Sequence, residues 1–257
     1  MKNILCVDMD NTIIYSYKHD IGEKKLNVEL YNGREITYSL LKEVNDKMLI
    51  VPTSTRTEEQ YRRINLHIGA IPYALVCNGG VLLVNGERDK EWYYESLKMI
   101  AESRPQLDKA IGILEVDPRR KFEVRFIDEL FVFTKCEKPD EVIKDLNKTL
   151  KTELVDVFHN GEKVYVVPKK LNKGMAVKRL RKKMNPGYIL AAGDSEFDVS
   201  MVEESDFGCV PDGFGKMFRL KADLKEDLKE NVMEMESGKL FSEALLEKCL
   251  KKEAELT

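Results

Sequence analysis

No apolar run in this chain approaches the ~20 residues that a helix needs to cross a bilayer, which excludes a membrane-spanning helix as its business. The N-terminal run Ile4-Leu5-Cys6-Val7 is too short for the apolar region of a secretory signal, so a cytoplasmic protein is expected. An excess of basic charge is missing as well. Lys plus Arg is 42 and Asp plus Glu is 45, a net charge of −3, whereas a chain built to neutralise a phosphate backbone would be clearly basic. Nucleic acid and membrane are therefore not expected partners. Cysteine is sparse and unpatterned: Cys6, Cys77, Cys136, Cys209 and Cys249 are odd in number, scattered and without a CxxC pair, so neither a zinc site nor a disulfide framework is expected. Three of them sit in apolar runs and read as small core residues. Low-complexity segments are absent. What is present is a chain of 257 residues, 43% hydrophobic and 34% charged, enough for one large domain or two modest ones.

The two ends of the chain share one rhythm. Residues 3–7, 48–52 and 74–77 are short apolar runs of the kind that form buried strands, and a helix capped at Thr57 or Thr55 is expected between the last two, to about Ile68. Strand, helix, strand with short turns implies a parallel sheet with right-handed crossovers. The same pattern returns with a helix over 173–183, strands at 187–192 and 207–210, and two C-terminal helices ending with 241–252.

The middle differs. A helix over 91–114, a hairpin of 121–127 with 129–135, a helix over 138–150 and a second hairpin of 154–159 with 163–168 around Asn160-Gly161 make helix-strand-strand twice. The expectation is an α/β core, residues 1–83 and 171–257, Rossmann-like in its parallel sheet, with a smaller α+β domain (αββαββ) inserted at 84–170. Loop signals near Asn85-Gly86 and Pro168-Lys169-Lys170 mark the two crossings.

Four polar clusters carry the chemistry. Asp8-Met9-Asp10-Asn11-Thr12 follows the first strand. In extended backbone residues two apart point the same way, and open α/β sheets bind ligands beyond the carboxyl ends of their strands. Paired acids there can hold a hard cation and supply a nucleophile and an acid, although alone the run also reads as an Asx-turn. Pro52-Thr53-Ser54-Thr55-Arg56 follows the second strand, where hydroxyls can bind a phosphoryl oxygen or simply cap the next helix. Asn172-Lys173-Gly174 opens a helix, and a lysine at a helix start opposes the macrodipole unless an anion faces it. Gly193-Asp194-Ser195-Glu196-Phe197-Asp198 brings two more acids to the same sheet edge.

Taken in order (DxD, Ser/Thr, Lys, GDxxxD) these clusters resemble the four signature motifs of the haloacid dehalogenase superfamily of phosphohydrolases. The likeness covers residues 2–85 and 170–253. An insertion between the second and third motifs is similar to the cap of the Cof-type and sucrose-phosphatase-like branch, and Val76-Cys77-Asn78-Gly79-Gly80 looks like that branch's strand before the cap. The resemblance implies a magnesium-dependent phosphatase acting on a small phosphorylated metabolite, a sugar phosphate first among them. It makes Asp8 the nucleophile that forms an aspartyl-phosphate and Asp10 the acid and base. Ser54 would hydrogen-bond the phosphoryl group, with Thr53 the other candidate, and Lys173 would neutralise the nucleophile and the transferred group. Ser54, Thr55, Arg56 and Lys173 would bind substrate. Magnesium would be held by Asp8, the Asp10 carbonyl and Asp194, with Asp198 in support. Thr55 stands where the family has glycine. Phe197 stands where it has asparagine, so one polar contact near the metal is either missing or supplied by Ser195. A phosphomutase of the phosphomannomutase type is the nearest rival and would need basic cap residues, for which Arg119, Arg120, Lys121 and Arg125 are the candidates. A phospho-acceptor receiver domain is about half this length, and a silent binding module would have lost some of these acids.

Overall fold

The computed structural model describes residues 2–28, 31–215, 231–236 and 238–256. The chain divides into two compact units, Met1–Asp89 with Lys173–Thr257, and Lys90–Asn172.

The first unit begins with β1 (Ile4–Val7), all four residues buried. Residues 13–47, unassigned from sequence, contain β2 (Tyr15–Ser16), β3 (Lys25–Val28) and β4 (Tyr31–Gly33), a small antiparallel sheet, and then α1 (Glu35–Lys47). Thr37, Tyr38, Leu41 and Val44 form the buried face of α1. β5 (Leu49–Pro52) follows. The helix expected from 57 to 68 is only α2 (Glu58–Arg62). Its capping box is complete, with Thr57 accepting from the Gln60 amide and Gln60 reaching back to the Thr57 amide, so Thr57 is the cap. It stops early because Asn65 accepts from the His67 amide in an Asx-turn, with His67 in the left-handed region.

The strand expected at 74–77 does not continue the parallel sheet. It is β6 (Tyr73–Val76), antiparallel to β7 (Val81–Val84), with β8 (Glu87–Arg88) beyond, and it touches the end of β5 through one parallel bridge, Thr53 to Leu75. Cys77, Asn78 and Gly79 all have positive φ, a tight turn that sends the chain straight back. The Asn85-Gly86 turn therefore closes a hairpin inside this unit, and the change of unit falls after Asp89.

The second unit holds α3 (Lys90–Met99), a 3-10 turn at Ala101–Ser103 and α4 (Arg104–Glu115) where one helix was expected. Pro105 in the first turn of α4 cannot extend a preceding helix and starts a new one instead. Then come β9 (Arg125–Ile127), β10 (Phe131–Lys135), α5 (Pro139–Thr149), β11 (Val155–Asn160) and β12 (Lys163–Pro168), an antiparallel sheet of order β11-β12-β10-β9. β9 starts later than the expected 121 because the Thr134 hydroxyl donates to the Phe122 and Glu123 carbonyls in place of ladder bonds. The unit has its own core, including Leu107, Leu114, Val132, Leu146 and Val166.

The chain returns to the first unit with α6 (Lys173–Met184), β13 (Ile189–Ala192), α7 (Glu196–Glu204), β14 (Phe207–Pro211), β15 (Val232–Met235) and α8 (Phe241–Leu256). The first of the two expected C-terminal helices lies outside the described residues. The main sheet is parallel throughout, in the order β15-β14-β13-β1-β5. Leu5, Val7, Ile50, Leu190, Leu41 and Leu245 share its core, burial of the kind that parallel sheets require. β1 lies between β13 and β5, with Val7 level with Ala192 and Pro52, so the loops after all three strands open at one edge. All five cysteines are buried and none forms a disulfide, and no helix among the described residues is long and apolar enough to cross a membrane.

Candidate active site

Three loops and one helix start converge at that edge. Asp8 follows β1 directly, its amide bonded to the Ala192 carbonyl of the neighbouring strand. Beyond it the chain turns, because the amides of Thr12, Ile13 and Ile14 all donate to the Met9 carbonyl while Met9, Ile13 and Ile14 are fully buried. Lys173, the first residue of α6, is 1% exposed and donates to Asp8 Oδ1 at 2.6 Å and to Asp198 Oδ1 at 2.5 Å. Here are the anions that a lysine at a helix start requires. Burial opposes its charge, but Asp198 and Asp8 outweigh burial and raise its pKa.

Asp198 engages both oxygens. Its Oδ1 accepts from Lys173, and its Oδ2 accepts from the Ser195 amide at 3.0 Å and the Ser195 hydroxyl at 2.7 Å. Ser195 is thus tied to Asp198 and caps α7, and Phe197, two residues after Ser195, is half-buried. Gly193 is needed here: a Cβ on it would stand 2.3 Å from Asp198 Cγ. Asp194 accepts from the Thr12 hydroxyl at 3.4 Å, a long contact. Its pKa is pushed up to about 7, first by burial and then by Asp198, against the pull of Lys173. Burial and the neighbouring acids also raise Asp8, with Lys173 opposing.

Carboxylate oxygens of Asp8, Asp194 and Asp198 lie within 4.8 Å of one another. Three acids face one ammonium, an all-oxygen set in which burial holds Asp8 and Asp194 reluctant to ionise. That donor chemistry fits a hard divalent cation. The Asp10 carboxylate, in contrast, does not join them. The chain turns over here onto the Met9 carbonyl, and Asp10 accepts from Arg56 through both oxygens, Nε to Oδ2 at 2.8 Å and Nη2 to Oδ1 at 2.7 Å.

The second cluster divides by direction. The Thr53 hydroxyl turns back onto its own strand, donating to the Val51 carbonyl at 3.0 Å. Ser54 is 1% exposed, and its hydroxyl oxygen accepts from the Arg56 amide at 3.2 Å. Thr55 is half-buried in the same turn. In the second unit the four basic candidates already have partners: Arg119 with Asp117 and Asp145, Lys121 with Glu162, and Arg125 with Glu123, while Arg120 donates to the Phe122 and Glu115 carbonyls. Two site residues escaped sequence reasoning. Thr12 stood inside the first motif, where its hydroxyl was the available signal. Tyr31, whose ring lies under the Arg56 guanidinium at 4.4 Å, had no signal in the sequence at all.

A family model described as haloacid dehalogenase-like hydrolase matches residues 74–210. No curated relative matches the chain in sequence. Among solved structures, the sucrose-phosphatase from Synechocystis sp., determined with sucrose and phosphate, is 16% identical with a TM-score of 0.66, covering 97% of each chain. A Thermoplasma acidophilum protein is 15% identical with a TM-score of 0.64, covering 100% of both. A phosphatase of the haloalkanoate superfamily from Bacteroides thetaiotaomicron is 15% identical with a TM-score of 0.57, covering 99% of this chain and 96% of its own. At these identities the likeness is one of fold.

Proposed function

The chain belongs to the haloacid dehalogenase-like hydrolases, and from that membership we propose that it is a phosphatase of small phosphorylated metabolites, sugar phosphates first, working through an aspartyl-phosphate on Asp8. The observation that carries this reading is the buried Lys173 ammonium bonded at once to Asp8 and Asp198 beside Asp194. Such a constellation holds one carboxylate at the end of β1 and neutralises charge around it, which is most of what phosphoryl transfer asks of a protein.

In the first half of the reaction an Asp8 oxygen forms a bond to phosphorus while the bond from phosphorus to the leaving oxygen breaks, and Asp10 delivers its proton to that oxygen. In the second half Asp10 takes a proton from water as the water oxygen bonds to phosphorus and the bond to Asp8 breaks, releasing phosphate. Ser54 holds a phosphoryl oxygen, a role that suits its hydroxyl better than that of Thr53, which is turned onto Val51. Thr55 in the same turn is a further substrate contact. Asp8, the Asp10 carbonyl and Asp194 would hold magnesium, with Asp198 fixing the others through Lys173 and Ser195. Bound there, the cation supplies charge neutralisation that lets Asp8 and a phosphate dianion approach each other.

The choice of sugar phosphates first is supported by the shared fold with a sucrose-phosphatase and, at 14% identity and a TM-score of 0.53, with a trehalose-6-phosphate phosphatase related protein. The inserted unit is the part we assign to substrate choice. A phosphomutase gains no support, since the basic residues it would use are ion-paired or bonded to carbonyls within their own unit. The test is chemical trapping. Brief mixing with a sugar phosphate, denaturation and borohydride reduction should convert Asp8 to homoserine in the wild type and leave Asp8→Asn unchanged and inactive. Turnover by Asp8→Asn at a tenth of the wild-type rate would overturn the assignment.

A further inference from the structure

Asp8 and Asp10 are two residues apart, yet two different cations claim them. Lys173 takes Asp8, and Arg56 takes both oxygens of Asp10 in a parallel, two-pronged contact. The Arg56 side chain is 10% exposed, its guanidinium lies 4.4 Å from the centroid of the Tyr31 ring, and its backbone amide is pinned by the Ser54 hydroxyl. This arginine is thus held at its backbone amide, at the face of its guanidinium and through Nε and Nη2. Asp10 correspondingly stays out of the group formed by Asp8, Asp194 and Asp198.

We propose that Arg56, braced by the Tyr31 ring, is the positioning residue for Asp10: it keeps that carboxylate out of the acid cluster and sets its plane for proton transfer to the leaving oxygen. The proposal rests on the reading of Asp10 as the acid and base. A cation held by Asp8, the Asp10 carbonyl and Asp194 would attract any carboxylate within reach, and that of Asp10 itself is the nearest competitor. An Asp10 carboxylate drawn in beside its own carbonyl would be lost to proton transfer. A guanidinium fork opposes that pull with two parallel contacts that fix both the position and the plane of the carboxylate, whereas an ammonium fixes neither. A carboxyl with a proton on one oxygen still accepts on the other. One of the two Arg56 contacts therefore persists while Asp10 gives its proton to the leaving oxygen and later recovers one from water. Arg56 itself gives up no proton at any stage.

Leaving-group dependence separates this role from mere structural support. A nitrophenolate departs without a proton, while an alkoxide needs one. The experiment compares kcat/KM for nitrophenyl phosphate and for an alkyl phosphate in the wild type, Asp10→Asn, Arg56→Ala, Arg56→Lys and the Asp10→Asn/Arg56→Ala double variant. We expect Arg56→Ala to lose about tenfold more on the alkyl ester than on the nitrophenyl ester, in the pattern of Asp10→Asn, with Arg56→Lys between. In the Asp10→Asn background, removing Arg56 should cost less than about twofold further, because a residue acting through Asp10 has nothing left to position. Arg56→Lys retains a cation in the pocket and carries the same test where the alanine variant does not fold. Equal losses on both esters in the Arg56 variants, alongside a steep loss in Asp10→Asn, overturn the proposal alone. Equal losses in Asp10→Asn as well remove the acid role of Asp10, and the proposal with its premise. Fully multiplicative losses in the double variant overturn it too.

Discussion

The Lys173 ammonium stands 2.6 Å from the Asp8 carboxylate, with 1% of the lysine side chain meeting solvent. A buried ion pair is weak evidence of stability, but breaking one from a single side leaves an uncompensated charge. Lys173→Met should lower stability by about 3–5 kcal/mol, less whatever the two freed acids recover by binding protons. Its turnover should fall by about 10²–10³ or more, as for loss of one electrostatic contact to the reacting group. Thermal unfolding and kcat on the same preparation check both, and turnover within tenfold of wild type removes Lys173 from the chemistry.

Asp194 has its pKa pushed up to about 7 in the folded chain, from 3.8. Between those values the folded state holds a proton that the unfolded state has released, so stability falls as pH rises from about 4 to about 7. For a partly exposed group the loss is roughly 2–4 kcal/mol rather than the full value of the shift. A divalent cation binds the ionised acids and offsets that loss. Magnesium should therefore raise the melting temperature more at about pH 8 than at about pH 5. An equal rise at both values, or none, would separate the cation from this cluster.

Gly174 permits the close approach of α6 to α7, since a Cβ there would stand 2.2 Å from the Ser200 backbone oxygen. Gly174→Ala should destabilise by about 1–3 kcal/mol and shift Lys173, lowering activity with it. Gly112 lies exposed in α4 with nothing within 4 Å of its missing Cβ. Gly112→Ala should stabilise by about 0.5–1 kcal/mol and leave kinetics alone. Denaturant midpoints with an unchanged slope are the measurement; the same sign for both variants would contradict the packing described.

The two units have separate hydrophobic cores, one centred on Leu5, Val7 and Leu190, the other on Leu107, Val132 and Leu146. Replacing residues 90–172 by a short linker should leave the first core folded and retain slow hydrolysis of an aryl phosphate. The ranking among phosphorylated metabolites should disappear. A shortened protein that keeps the full ranking places specificity in the loops of the first unit.

Strong local patterns were legible. β1, β5, β13 and β14 are short apolar runs that need only be buried on both faces, and each of three motif loops follows one of them. The capping box at Thr57 was legible for the same reason, since all of its partners lie within four residues. The length of α2 was not, because an Asn65 side-chain turn ended a pattern that looked helical through Ile68. The 91–114 helix was divided by a turn that apolar spacing alone does not reveal.

By itself the sequence determined where the polar clusters of the candidate site fall: an acid pair after the first strand, hydroxyls after a later one, a lysine opening a helix and two acids after another strand. Those features are local, and adjacency to a strand end is enough to assign them to one edge of a parallel sheet. Only the tertiary structure decided how the charges are shared. Asp8 and Asp10 look equivalent in a row of residues, and extended backbone would send them the same way. The turn onto the Met9 carbonyl separates them, Lys173 arrives from 165 positions away for one, and Arg56 with Tyr31 arrives for the other. A carboxylate's role is set by the cation that faces it in a site shielded from water, and the chain brings that cation only when it has folded.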